Sequence, residues 1–265
     1  MLEIRNLKKT YGNYHALDGL DLTIPEGSLF GLVGPNGAGK TTAIKIMSGL
    51  LLPDEGEVFI SGINAVKEPD RIRELIGYVP DSFGIYDNLM VWEYMEFFAA
   101  AFGLEGITAR KRCENLLAQV GLEDKREFHV DALSRGMQQR LCLARALIHD
   151  PQFIIMDEPT ASLTAAEVNH LFGVMRKLRE KGIAMIFISH KLNEVMEICD
   201  RYTILRNGVL VQSGRIAETY ARQLSSSMVG HEIDANAVHQ KAAYGDEVLR
   251  LEHLSDDRHF FEIST

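Results

Sequence analysis

The chain has 265 residues, with 28 Lys+Arg against 37 Asp+Glu for a formal charge of −9, and 46% of it is hydrophobic. That length and apolar share belong to one large folded domain, or a domain plus a fragment, and exclude a disordered chain. The acidic balance argues against a nucleic-acid partner and against direct adhesion to an anionic membrane. No run reaches the roughly 18 apolar residues that span a bilayer, and the opening residues do not read as a signal peptide.

In chain order, Leu2 and Ile4 alternate with polar neighbours, as do Leu20, Leu22 and Ile24 before Pro25 and Gly27, which predicts an antiparallel opening of half-buried strands. The apolar run from Leu29 to Val33 ends in glycines, and Ile44, Met47 and Leu51 follow at helical spacing: strand, Gly-rich turn, helix. Residues 83–102 hold Phe83, Tyr86, Trp92, Tyr94, Phe97, Phe98 and Phe102. The spacing of Trp92, Met95, Phe98 and Phe102 fits a helix packed in the domain's own core, or one whose rings form a groove for a partner's short helix.

Phe153 to Met156 and Ile183 to Ile188 read as strands buried on both faces. The helix between them carries Val168, Leu171, Phe172, Met175 and Leu178 and opens on a Thr164/Glu167 capping box, so the sheet is expected to be parallel. A further helix carries Leu192, Val195, Met196 and Cys199. Thr203 to Leu205 and Val209 to Val211 then flank Asn207-Gly208, a hairpin turn signal. From about Ser213 to Asp246 the strand pattern fades, which suggests a helix and then a linker. Residues 248–254 repeat the apolar phase of residues 1–7, so 247–265 read as the start of a second copy, or as a coincidental amphipathic strand. Cys113, Cys142 and Cys199 are odd in number and lack a C-x-x-C pair, which predicts no disulfide framework, no zinc site and a reducing compartment.

The segment from Gly34 through Asn36, Gly37, Ala38 and Gly39 to Lys40 and Thr41 fits G-x-x-x-x-G-K-[ST], between the predicted strand and helix. Such a loop wraps phosphate oxygens in backbone N–H groups at a helix N-terminus, Lys40 neutralises the outer phosphates, and Thr41 offers a hydroxyl to Mg²⁺. The strand ending in Asp157-Glu158 adds a carboxylate for the metal and a second, Glu158, for the attacking water.

With these residues in view the chain resembles the ATP-binding subunit of ABC transporters over about residues 1–220. The resemblance implies an α/β P-loop NTPase of ABC type: a mainly parallel sheet, an N-terminal antiparallel β subdomain, and a helical subdomain, about 82–150, carrying the signature loop. It implies nucleotide contacts from Tyr11, stacking on adenine, and from Ala16 and Thr42. Leu133-Ser134-Arg135-Gly136-Met137 resembles the family signature LSGGQ, so Ser134 and Gly136 are expected to face ATP held by the opposite subunit. His190 resembles the switch histidine that contacts the terminal phosphate. Tyr78-Val-Pro80 is followed by Asp81 where the family has Gln, a carboxylate that can reach the metal; Ala161-Ser-Leu-Thr164 replaces S-G-L-D. Up to about residue 150 the likeness is to exporter-type ATPases, and after about 153 to ribose- and galactose-type sugar importers.

The same resemblance implies ATP and Mg²⁺ as cofactors, a head-to-tail dimer with a second cassette, a transmembrane permease partner, and a location on the cytoplasmic face of the cell membrane. Hydrolysis would power transport of an unidentified substrate. The alternative is a regulatory nucleotide-binding module with weak turnover, motivated by Asp81, Arg135, Met137 and Thr164.

Overall fold

The computed structural model describes residues 1–81 and 88–229. The chain runs β1 (Leu2–Tyr11), β2 (Tyr14–Ile24), β3 (Leu29–Val33), α1 (Lys40–Met47), β4 (Glu55–Ile60), β5 (Ile63–Asn64), α2 (Pro69–Leu75), β6 (Ile76–Val79), α3 (Val91–Ala101), α4 (Gly106–Gln119) and α5 (Arg135–Ala146). It continues with β7 (Phe153–Asp157), α6 (Ala165–Glu180), β8 (Ala184–Ile188), α7 (Leu192–Ile198), β9 (Arg201–Arg206), β10 (Val209–Arg215) and α8 (Ala221–Val229).

Two sheets form among the described residues. The first is antiparallel, in the order β2-β1-β4-β5, and the second runs β10-β9-β3-β8-β7-β6. In the second, β9, β3, β8, β7 and β6 pair in parallel and only the β9–β10 hairpin is antiparallel. Every residue of β3, β7 and β8 is buried, which is why these strands read as unbroken apolar runs and not as alternations. The connecting helices cover both faces, giving one core around Phe172, Phe187 and Met156 and another around Phe30, Ile44 and Ile186.

Three elements differ from the sequence expectation. Helix α1 stops at Met47, short of Leu51, because Gly49 takes a left-handed φ of 66° and turns the chain out; Leu52 ends 64% exposed. Strand β10 continues to Arg215, where apolar alternation has faded. Its pairing with β9 persists through Ser213 opposite Thr203, whose hydroxyls lie 2.9 Å apart. In α3 the core takes Val91, Tyr94, Met95 and Ala99, while Trp92 and Phe98 are half-buried and Phe102 is 42% exposed. The buried stripe is thus rotated from the predicted one. Tyr94 tips it inward, its hydroxyl accepting from Arg145 Nη1 of α5 at 3.0 Å. Phe83 and Tyr86 lie outside the described residues, as does the proposed second copy at 247–265. Helix α8 supplies the helix expected within residues 213–246, ahead of the linker, and its Leu224 is fully buried. No described helix is long and apolar enough to cross a membrane.

Candidate functional site

The site forms where four neighbouring parallel strands end. The loop after β3 carries Gly34 to Gly39, β7 ends in Asp157 with Glu158 next, β8 is followed by His190, and β6 by Asp81. Ligands of open α/β sheets bind at such carboxyl ends, because loops from adjacent strands converge there.

Glycine is required at two positions of the loop. A Cβ on Gly39, at φ 99°, would lie 2.3 Å from the Ala16 carbonyl oxygen, and one on Gly34 would lie 2.3 Å from that of Leu205. The loop is braced from outside by the β9–β10 turn. Asn207 and Gly208 both adopt positive φ, as a two-residue hairpin with the right twist demands. The Gly208 N–H then donates to the Ala38 carbonyl at 3.2 Å, and its carbonyl accepts from the Asp18 N–H at 3.0 Å.

A cavity of about 260 Å³ is lined by Tyr11, Tyr14, Ala16, Asn36 to Thr42, Asp81, Asp157 and Glu158. A second, of about 560 Å³, is lined by Asn36, Asp81, Glu158, Ala161, Ser162 and His190, so the two share three residues. Nearly every expected nucleotide and metal residue of this chain is thereby brought together. Gly34 stands at the loop's root. Ser134 and Gly136 line neither cavity: they belong to the start of α5, with Ser134 as its N-cap.

Lys40 is buried with its ammonium donating to the carbonyls of Gly34 at 2.6 Å and Pro35 at 3.0 Å. Burial lowers its pKa, and the nearby charges of Glu158 and Asp157 act the other way. The Asp157 carboxyl is pushed up, first by burial, then by repulsion from Asp81 and Glu158, with Lys40 and a hydrogen bond from Tyr78 opposing. Tyr78 donates to Asp157 at 3.5 Å, and burial followed by the charges of Asp157 and Asp81 raises its phenol to about 12. Thr41, Asp157 and Asp81 thus present hard oxygen donors beside a cation, the chemistry that suits Mg²⁺.

Glu158 adopts φ 47°, unusual for a residue with a side chain, and its N–H donates to the Ile188 carbonyl at 3.0 Å. Its Oε2 lies 2.9 Å from His190 Nδ1. Behind this pair, Glu194 accepts from Thr160 Oγ1 and Ser189 Oγ, while Lys191 Nζ donates to the Thr160 carbonyl, clamping the loops that carry Glu158 and His190.

Tyr14 and this Glu194 clamp were missed from the sequence. The Tyr14 hydroxyl donates to the Gly37 carbonyl, and β-pairing sets Tyr14 opposite Tyr11. The spacing of the two tyrosines about Gly12-Asn13 was the available signal. The clamp had none, since Thr160 and Glu194 meet only in three dimensions.

A family model described as "ABC transporter" matches residues 17–161. The ribose import ATP-binding protein RbsA of Caldanaerobacter subterraneus is 34% identical over 100% of this chain, which spans about half of that relative's length (54%). The linearmycin resistance ATP-binding protein LnrL of Bacillus subtilis is 32% identical over 97% of this chain and 81% of its own. Among solved structures, the dimeric post-hydrolysis state of the ATP-binding cassette MJ0796 bound to ADP and Pi superposes with a TM-score of 0.73 at 30% identity, over 82% of this chain and 99% of that one. With its antiparallel N-terminal sheet, mostly parallel second sheet and P-loop at the strand ends, the chain belongs to the ABC transporter family and is one of its ATP-binding cassettes.

Proposed function

We propose that the chain hydrolyses ATP and uses the cycle to power transport of a substrate through a partner membrane domain. The observation that carries this reading is the Glu158–His190 contact of 2.9 Å at the edge of the phosphate-loop cavity, which supplies a water-orienting carboxylate and a histidine for the terminal phosphate. Lys40 and the loop amides hold the triphosphate, and Tyr11 stacks on the base. Thr41, Asp157 and Asp81 would hold Mg²⁺, which would supply charge neutralisation on the phosphates.

The cassette pairs head to tail with a second one, each offering Ser134 and Gly136 to the other's nucleotide. The dimeric cassette bound to ADP and Pi supports the association of two cassettes. Exposed Phe102, at the C-cap of α3, supports a docking groove for the membrane partner: with Leu104, Arg112 and His149 it lines a cavity of about 590 Å³. As to domains, we assign about 1–220 to the cassette, 221–246, which opens on α8, to a linker, and 247–265 to the beginning of a second copy. The match to the ribose import relative over the whole chain supports that assignment.

The test is a steady-state ATPase assay of Glu158→Gln beside nucleotide binding. Turnover falls at least a hundredfold with ATP affinity retained; equal rates in the two proteins would favour a regulatory nucleotide-binding module.

A further inference from the structure

Ser134 caps α5, its Oγ accepting from the Met137 N–H at 3.2 Å. A serine hydroxyl has a single hydrogen to give, and this one goes to Glu167 Oε1, 3.2 Å away. The same carboxylate lies against Gly136. The other oxygen, Oε2, accepts from the Thr164 N–H and the Thr164 hydroxyl, each at 3.0 Å. One carboxylate therefore gathers two donors from the start of α6 and the Ser134 hydroxyl from the start of α5, and the Thr164 bonds above all hold its carboxyl below the usual range.

The capping box of α6 accounts for Oε2 alone. Contact with Ser134 and Gly136 is additional, and it depends on Gly136: a Cβ there would lie 2.3 Å from Glu167 Oε1. Without a side chain at that position, the carboxylate lies over the first turn of α5 and covers Gly136, which is buried next to exposed Ser134.

Ser134 Oγ–H and Gly136 N–H are the two donors that the proposed function reserves for the terminal phosphate on a second cassette. We propose that Glu167 is a positioning residue for the signature loop, an internal carboxylate that occupies the Ser134 donor, covers Gly136, and gives way when the second cassette delivers its triphosphate. The inference rests on that reading of the loop. Closure is then an exchange of one acceptor for another at the N-terminus of α5, which favours anions of either kind. Repulsion between the carboxylate and the incoming phosphate opposes the exchange, so Glu167 sets the ATP concentration at which the pair closes. Its Oε2 partners at Thr164 keep α6 capped after release.

The experiment follows ATP-induced dimerisation by light scattering in a Glu158→Gln background, with nucleotide binding to the dilute monomer measured in parallel. Adding Glu167→Gln keeps a carbonyl for the α6 cap and removes the charge; the ATP midpoint for dimerisation is expected to fall about fivefold or more, with monomer affinity unchanged. Glu167→Ala, which frees the Ser134 donor and uncovers Gly136, is the second variant, and the result is scored on those that keep the parent's circular dichroism spectrum. In a Ser134→Ala background the shift is expected to shrink, because the released donor is gone. An unchanged or raised midpoint overturns the proposal, as does an equal shift with and without Ser134. A Glu158→Gln parent that stays monomeric at saturating ATP instead overturns the head-to-tail reading itself, and that outcome is seen before any Glu167 variant is compared.

Discussion

His190 Nδ1 and Glu158 Oε2 lie 2.9 Å apart although 32 residues separate them, because β7 and β8 are parallel neighbours that end side by side. With Nδ1–H directed at the carboxylate, the imidazole fixes the orientation of Glu158. His190→Ala is expected to lower turnover about a hundredfold with little change in melting temperature, since the His190 side chain is 57% exposed. Near-normal turnover of the purified variant would remove His190 from the reaction.

Lys40 lies within the loop on two carbonyl oxygens, ready to be drawn to a phosphate. At a nucleotide concentration about a hundred times Kd, binding stabilises the native state by about 2.7 kcal/mol, which for a domain of this size raises the melting temperature by roughly 5–10 °C. Lys40→Ala is expected to abolish most of that shift while leaving the nucleotide-free melting point within a few degrees. A thermal scan with and without MgATP checks both.

His149 gives the fold an acid-sensitive point. Its Nε2 donates to the Ile76 carbonyl at 3.0 Å, its ring stacks on Phe102 at 4.1 Å between centroids, and buried Nδ1 has no hydrogen-bond partner among the described residues. Burial lowers its pKa, Arg112 adds to the shift, and the Ile76 carbonyl and Asp150 oppose it. Neutral imidazole is thus favoured in the native state, and the contribution is fully present above the unfolded value of 6.5 and lost as pH falls below it. Melting curves from pH 8 to pH 5 should show wild type losing stability faster than His149→Gln; parallel losses would assign the acid sensitivity elsewhere. His170, also lowered by burial and by Arg140, is common to both proteins and cancels in the comparison.

All three cysteines are buried thiols. Burial raises Cys113 and Cys142 to about 11 and Cys199 further still, so little thiolate exists near neutrality. Native protein at pH 8 is expected to resist iodoacetamide over hours, whereas denatured protein takes up three labels. Rapid labelling of the native chain by mass spectrometry would contradict this burial.

The phosphate loop, the Asp157-Glu158 strand end, the Thr164/Glu167 cap and the Asn207-Gly208 hairpin were all readable from the sequence, because each is decided by residues within a few positions of one another. Apolar runs such as Leu29 to Val33 and Phe153 to Met156 likewise announce strands buried on both faces, whatever their neighbours. The tertiary structure decided matters of distant pairing. The order β3-β8-β7-β6 brings Lys40, His190, Glu158 and Asp81 to one edge, and the Tyr94–Arg145 bond goes with an α3 face rotated away from its aromatic spacing. It also directs a cap residue, Glu167, onto the start of another helix. Local periodicity reports which face of an element is apolar. What that face meets is settled by packing between segments far apart in the chain, where no short motif leaves a trace.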